Sequence, residues 1–479
     1  MISSTEMAVV DENAEALGVP RKQLMESSGN AAARAVREIA DPGASVALVC
    51  GRGNNGGDAF VAARFLSAYD VTVHLLGRPE TISTEIAREN WVALERAEID
   101  RRTVEDSTAI DLATPDIVVD AMLGTGVTGA LREPEATAAE TINAADCPVL
   151  AVDVPSGIDA DTGEREGIAV EADRVVTFHD EKPGLRDLDA DVTVGDIGIP
   201  DAAERFVERG DLRRLSRDSN AHKGDFGRVL VVGGGPYTGA PALAAQAALR
   251  SGADLAYVAC PETVAREVQG YSENLIVEPL AGERLDSSNV QQLLAVASRM
   301  DCVVFGPGLG DATKSLDAVE AFLEAFAGTA VVDADALQVV PNVETEATLV
   351  CTPHQGELES MGGTTAADPD DRAELVESFA AELDVTLLVK GAYDVISDGT
   401  RTRLNRTGNP GMTVGGTGDV LAGVTGAMAC VLDPIHAAAI GAYTNGRAGD
   451  IVVEDNGYGL VATDLLGALS AALWSESVA

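Results

Sequence analysis

The residues best placed to do chemistry in this chain are GGTGD at 415–419. Gly415, Gly416, Thr417 and Gly418 leave backbone N–H groups free just before an apolar run that reads as a helix from Val420. N–H groups at a helix start hold anions. Asp419 is a carboxylate beside that cradle, where it would repel a bound anion. One reaction uses both: the donors hold a phosphoryl group in transit, and Asp419 takes the proton of the hydroxyl that attacks it. The spacing also allows a plainer reading, an aspartate capping a helix in a glycine turn.

A second constellation lies in the first half. Asn54, Asn55, Gly56, Gly57 and Asp58 crowd the turn of GRGNNGGD (51–58). Two further glycine-bearing loops are AMLGTGVTGALREP (121–134) and VPSGIDADTG (154–163). Oxygens from Asn, Asp and Ser, with backbone carbonyls, suit a hard cation. Asp153 is the best candidate acid or base, and Asp120 is either part of the same site or a strand-end cap.

Short β-branched runs must position these loops. SVALVC (45–50), VTVHLL (71–76), DIVVDAML (116–123) and VLAVDV (149–154) alternate with helical patterns, as do RVLVVGG (228–234), DCVVFG (301–306), AVVDAD (330–335) and VTLLVKG (385–391). Near-continuous apolar strands between helices imply parallel sheets covered on both faces. The expected fold class is α/β throughout, and the loops at strand carboxyl ends should line a crevice. Asn54–Asp58, Asp120, Gly124–Ala130, Asp153 and Ser156 should therefore converge. A polar stretch near 198–220 breaks the pattern, with a linker placed at about 210–216. Two domains follow, 1–212 and 213–479.

The formal net charge is −43, spread through both halves, with five lysines and 4 % aromatic residues. Such a coat repels nucleic acid and anionic membranes, and the repulsion fades in concentrated salt. Binding to either is not expected; a salt-loaded cytoplasm, as in a halophilic archaeon, is. The six cysteines, Cys50, Cys147, Cys260, Cys302, Cys351 and Cys430, are isolated and read as structural thiols in a reducing compartment. The N-terminus lacks the pattern of a signal peptide, and no apolar run reaches the ~18 residues of a membrane span.

LMESSG (24–29), GRGNNGGDAFVAARFL, DAMLGTGVTGALREP, VDVPSGIDADTG and TFHDEKPGL (177–185) resemble the epimerase domain of the NAD(P)H-hydrate repair system. The resemblance covers nearly all of 1–200 and implies a Rossmann-like three-layer α/β/α domain. It implies that Asn54, Asn55, Gly56, Gly57, Asp58, Gly124, Thr125, Gly126, Val127, Thr128, Gly129, Ala130 and Asp153 contact hydrated NAD(P)H. It also implies that Asn55, Asp120 and Ser156 bind potassium. Ala59 stands where the family has glycine, and Ser27-Ser28 where it has Asn-Ala. Lys182 matches a family lysine and reads equally as a surface salt bridge.

The glycine hole followed by Asp419 resembles the ribokinase-like superfamily. With HKG, GAPALAA, GPGLG, DADAL, TPHQGE, LVKGA and GNPGM, the segment from about 215 to 475 is similar to the ADP- or ATP-dependent NAD(P)H-hydrate dehydratases. The resemblance implies that Asp419 is the catalytic base and that Gly415–Gly418 form the anion hole. Lys390, Gly391, Ala392, Tyr393, Asp394 and Gly418 would contact the adenine nucleotide. Ala240, Gly308, His354 and Asp419 would touch the hydrated cofactor, and Glu357 would help place Mg2+. His354 could also simply cap a loop. Departures are Thr413-Val414, Gln338 after DADAL, and Gln355 for a proline.

The implied activity is repair of hydrated NAD(P)H. The first domain would interconvert the R and S epimers. The second would phosphorylate the ring hydroxyl of the S form, so that phosphate leaves and the dihydronicotinamide returns. The competing reading is a small-molecule kinase of hydroxymethylpyrimidine or sugar type, with a non-catalytic first domain. A cytoplasmic homo-oligomer using K+ and Mg2+ with ADP or ATP is expected.

Overall fold

A computed structural model describes residues 1–218 and 220–474. The chain divides into two compact units, Met1–Ala203 and Glu204–Ala479.

The first unit is built on seven strands: β1 (Ser45–Cys50), β2 (Asp70–Leu76), β3 (Asp100–Val104), β4 (Ile117–Ala121), β5 (Val149–Val152), β6 (Arg174–Phe178) and β7 (Asp191–Gly195). They pair in the order β3-β2-β1-β4-β5-β6-β7, all parallel. Central strands β1, β4 and β5 are buried almost throughout, which is why they read as unbroken apolar runs. The order reverses between β1 and β4, and ligands bind outside the carboxyl ends at such a switch point. Helices Arg21–Ile39 and Asn54–Phe65 pack closely. A Cβ on Gly29 would lie 2.4 Å from the Val61 side chain, so glycine sets that approach.

The second unit carries β8 (Arg228–Val232), β9 (Leu255–Pro261), β10 (Ile276–Leu280), β11 (Cys302–Phe305), β12 (Thr329–Val332), β13 (Thr348–Cys351), β14 (Thr386–Val389), β15 (Asp394–Ser397) and β16 (Thr402–Asn405). Their order is β10-β9-β8-β11-β12-β13-β14-β15-β16. Pairing is parallel up to β14, and β14-β15-β16 form an antiparallel edge. Helix Thr417–Met428 lies against helix Gly239–Arg250. Gly423 makes this possible, since a Cβ there would stand 2.0 Å from the Ala244 carbonyl oxygen. Gly426 plays the same part against Val304.

Two details differ from expectation. The helix begins at Thr417 and so includes Asp419 in its first turn. Residues 204–214 are packed on the second unit, not strung out as a linker. The Val207 N–H donates to the Leu404 carbonyl, and buried Asp211 is held by the Arg403 guanidinium at 3.0 Å. The polar sequence there hides a buried ion pair, which periodicity does not register. All six cysteines are free thiols. Among the described residues, no helix is long and apolar enough to cross a membrane.

Candidate active sites

In the first unit the chain leaves β1 through a turn that only glycine fits. A Cβ on Gly51 would sit 1.9 Å from the Met122 carbonyl oxygen, and one on Gly56 would sit 2.1 Å from the Gly51 carbonyl oxygen. Helix Asn54–Phe65 therefore starts hard against the end of β4. Ala59, fully buried, is accommodated in that helix.

Asp153 directly follows β5 with φ +68°, a left-handed backbone that an aspartate seldom adopts and that marks functional turns. The turn aims its carboxylate into the crevice. Oδ2 accepts the Thr125 N–H at 3.1 Å, and Oδ1 accepts the Thr177 hydroxyl at 3.4 Å. Gly124 lies so close that a Cβ there would be 2.8 Å from Asp153 Oδ2 and 3.4 Å from the Asn55 side chain. Asn55, Gly124, Thr125 and Asp153 are thus contiguous.

Lys182 is not in a surface salt bridge, one of the two readings its sequence allowed. Its side chain is 1 % exposed, and Nζ donates to the carbonyls of Phe178 and Asp180 at 2.8 Å each. It stands 3.9 Å from Asp153 Oδ1. Burial holds its pKa below the usual lysine range, against the pull of Asp153 and Asp180. Asp58 is buried, and burial together with the charges of Asp153 and Asp11 holds its carboxyl well above the usual range. Burial lifts Asp11 to about 6. Sequence reasoning missed Asp11, because one aspartate on a helical segment carries no motif of its own.

Asp120, at the end of β4, is fully buried and interlocked with Ser156. Oδ1 accepts the Ser156 hydroxyl at 2.7 Å and the Met122 N–H at 3.1 Å, and Oδ2 accepts the Ser156 N–H at 2.8 Å. Burial raises its pKa to about 6 despite these bonds. It does cap its strand end, and it also fixes Ser156. Asn55 Nδ2 donates to the Leu123 carbonyl at 2.8 Å. Its Oδ1 is buried with no hydrogen-bond partner among the described residues. A groove beside this cluster is lined by Gly124, Val127–Gly129, Ser156–Asp159 and Glu166.

In the second unit the loops after β8, β11 and β12 press together at the carboxyl ends. A Cβ on Gly233 would meet the Pro307 carbonyl at 2.1 Å, and one on Gly306 would meet the Asp333 carbonyl at 1.9 Å. Gly308 (φ +70°) would touch the Tyr237 carbonyl at 2.5 Å and Ala240 at 3.2 Å. Ala240 and Gly308, both expected at the substrate, are therefore neighbours.

Gly416 (φ +99°) caps helix Thr417–Met428. The Thr417 hydroxyl donates to the Met412 carbonyl at 2.8 Å and also reaches the Val414 carbonyl, which fixes the turn. Burial, and then the charge of Asp333, raise Asp419 to about 7, with Lys390 pulling the other way. Lys390 Nζ bonds Asp333 Oδ1 at 3.0 Å and lies 3.6 Å from Glu357 Oε2. It is also the nearest group to Gly418, 3.5 Å from a Cβ built there. Burial works against its charge, but Asp333 and Glu357 outweigh it and raise its pKa. Asp333 is buried and also accepts the Thr352 hydroxyl at 2.7 Å. Sequence reasoning quoted DADAL without giving Asp333 a role; strand-end position was the available signal.

His354 does cap a helix, Gln355–Ser360. Its Nδ1 accepts the Glu357 N–H at 3.1 Å, and Glu357 Oε2 accepts the His354 N–H at 2.7 Å. The ring is still 60 % exposed. Asp394 turns back on its own loop, accepting from Gly391 N–H at 2.9 Å and Asn405 Nδ2 at 2.9 Å. It shapes the 390–394 loop, and burial raises its pKa to about 6. Tyr393 is exposed. Among the described residues no three His, Cys, Asp or Glu side chains group to hold a metal ion.

Residues 229–470 match the family model described as NAD(P)H-hydrate dehydratase, and 21–184 match the YjeF-related protein N-terminus. The chain is 43 % identical over 489 residues to the bifunctional NAD(P)H-hydrate repair enzyme Nnr of Methanothermobacter thermautotrophicus, covering 97 % of this chain and 94 % of that one. The chain belongs to the family of bifunctional NAD(P)H-hydrate repair enzymes. The enzyme of the same name from Archaeoglobus fulgidus is also 43 % identical, over 98 % of both chains. A ribokinase-like superfamily protein from Enterococcus faecalis V583 matches at TM-score 0.50 and 24 % identity, over 57 % of this chain and 95 % of that one. That likeness shows the ribokinase-like fold of the second unit. The NAD(P)H-hydrate repair enzyme described here is therefore bifunctional, with an epimerase unit and a dehydratase unit, and the single-kinase reading is not favoured.

Proposed function

We propose that Asp153 carries the epimerase step and Asp419 the dehydratase step, in the domains expected at 1–212 and 213–479. The observation that supports this most is a lysine at each strand-end crevice: Lys182 stands 3.9 Å from Asp153, and Lys390, bonded to Asp333, lies beside Gly418 in the turn that carries Asp419.

In the epimerase unit Asn54–Asp58 and Gly124–Ala130 would wall the hydrated cofactor. Asp153 would exchange protons with it, and Lys182, 3.9 Å away, would stand beside its carboxyl. Asn55, Asp120 and Ser156 would hold potassium, and the fit rests on the unpartnered Asn55 Oδ1 and the remaining lone pair of Asp120 Oδ2. A bound K+ would supply positive charge near the substrate phosphate.

In the dehydratase unit Ala240, Gly308 and His354 would receive the S hydrate, and Lys390–Asp394 the ADP or ATP. Asp419 takes the proton from the ring hydroxyl as its oxygen attacks the terminal phosphorus. Gly415–Gly418 N–H groups and Lys390 hold the phosphoryl oxygens. The ring nitrogen lone pair then expels phosphate, which carries away the former hydroxyl oxygen, and the iminium left behind loses a C5 proton to the departing phosphate or water, which restores the dihydronicotinamide. Asp419, near pKa 7, is a well-matched base for work near neutrality. Mg2+ binds through one or two carboxylates and substrate phosphates, and Glu357 suits that role; the ion would neutralise nucleotide charge. The even acidic coat and five lysines favour a salt-rich cytoplasm, in which K+ is abundant, and we expect a homo-oligomer.

Two substitutions test the division of labour. Asp153→Asn should slow R/S equilibration and leave dehydration of the S hydrate intact; Asp419→Asn should do the reverse. Loss of both activities in either variant would break the assignment.

A further inference from the structure

The chain is poor in aromatic residues, yet four of its seven tyrosines are exposed: Tyr237, Tyr271, Tyr393 and Tyr458. All four belong to the second unit, and three of them frame its glycine-rich loops. Tyr393 lies in the loop after β14, Tyr458 stands against Gly411 before the anion hole, and Tyr237 follows β8.

Tyr237 has a fixed backbone and a free ring. Its carbonyl is pressed against Gly308, and its neighbour Pro236 packs on Gly310. Its ring is 65 % exposed, and Tyr271, 52 % exposed, reaches over to place its hydroxyl 3.2 Å from Thr238 Oγ1. Among the described residues neither ring stacks on another aromatic ring or a guanidinium. An anchored aromatic ring left in water offers a hydrophobic face at little entropic cost.

The loop after β8 is four strand spacings from the one after β14, or about 19 Å. Tyr237 is thus remote from the loop proposed for the phosphoryl donor and adjoins the Ala240–Gly308 cradle. We propose that Tyr237, steadied through Thr238 and Tyr271, is a stacking platform for the adenine ring of the hydrated dinucleotide and sets its specificity over an adenine-free half. The inference rests on the reading that Ala240 and Gly308 receive the hydrate.

Stacking of a base on an aromatic side chain is worth a factor of roughly 5 to 150 in binding. Tyr237→Ala should raise the KM for hydrated NADH at least about fivefold. The KM for hydrated reduced nicotinamide mononucleotide, which lacks adenine, and the KM for the nucleotide donor should stay unchanged. Tyr237→Phe should behave as the parent. An unchanged KM for hydrated NADH, or an equal rise with the mononucleotide hydrate, would overturn the proposal. Ala240→Leu separates the two readings: it should raise the KM for both hydrates. If it raises neither, the cradle itself is misassigned; if it raises both while Tyr237→Ala is silent, only the platform falls.

Discussion

Replacing Asp419 by asparagine should abolish dehydration and stabilise the protein at the same time. The carboxyl titrates at 3.8 in an unfolded chain and at about 7 here, because burial and the charge of Asp333 oppose its ionisation. A folded-state pKa raised above the unfolded value means that folding binds the proton more tightly, so stability is lost as pH rises. The loss starts near the unfolded value and is complete above about pH 7. Three units at 1.36 kcal/mol each set a ceiling of about 4 kcal/mol at about pH 8. At about pH 5.5 only about half of it applies, and below about pH 3 none does. An asparagine of the same shape carries no such cost. The two tryptophans make the assay selective: Trp91 lies in the first unit and packs edge-on to Phe60, whereas Trp474 lies in the second beside Gly252. Urea unfolding followed by Trp474 fluorescence in a Trp91→Phe background should show the Asp419→Asn gain at about pH 8, shrinking on acidification. A gain that does not change with pH, or a loss at about pH 8, would refute the picture of a carboxyl whose ionisation the fold opposes.

Other substitutions probe the surrounding frame. Asp153→Asn should slow interconversion of the R and S hydrates at least about a hundredfold, followed by chromatography of the epimers, without changing dehydration of the pure S form. Lys390→Met leaves Asp333 buried without its cation, which should cost about 3–5 kcal/mol in unfolding measurements and lower kcat by removing charge beside the proposed anion hole. Gly423→Ala drives a methyl to 2.0 Å from the Ala244 carbonyl and should destabilise the second unit by about 1–3 kcal/mol. Its folded fraction should keep normal KM values, since Gly423 faces the neighbouring helix.

Much of the fold was legible because buried parallel strands announce themselves as apolar runs. β1, β4, β8 and β11 lie within stretches read as strands. Their order makes the glycine loops converge, so Asn55, Gly124 and Asp153 do meet in one crevice. What escaped was charge buried among apolar neighbours. Lys182 read equally as a family lysine or a surface salt bridge, and only the structure reveals its two carbonyl partners. Asp11 and Asp333 act through space on carboxylates far away in sequence, a relation that no spacing rule encodes. Part of the stretch read as a linker, residues 210–214, is instead packed on the second unit, because the Asp211–Arg403 pair closes only in three dimensions.

The most direct measurement follows the dihydronicotinamide absorbance when S-configured hydrated NADH meets the full chain with Mg2+ and either ADP or ATP in high potassium. Absorbance should return with one phosphate released per ring restored, and Asp419→Asn should give none. A phosphorylated alcohol that accumulates while absorbance stays lost would contradict the account: the second unit would then be a kinase that keeps its product.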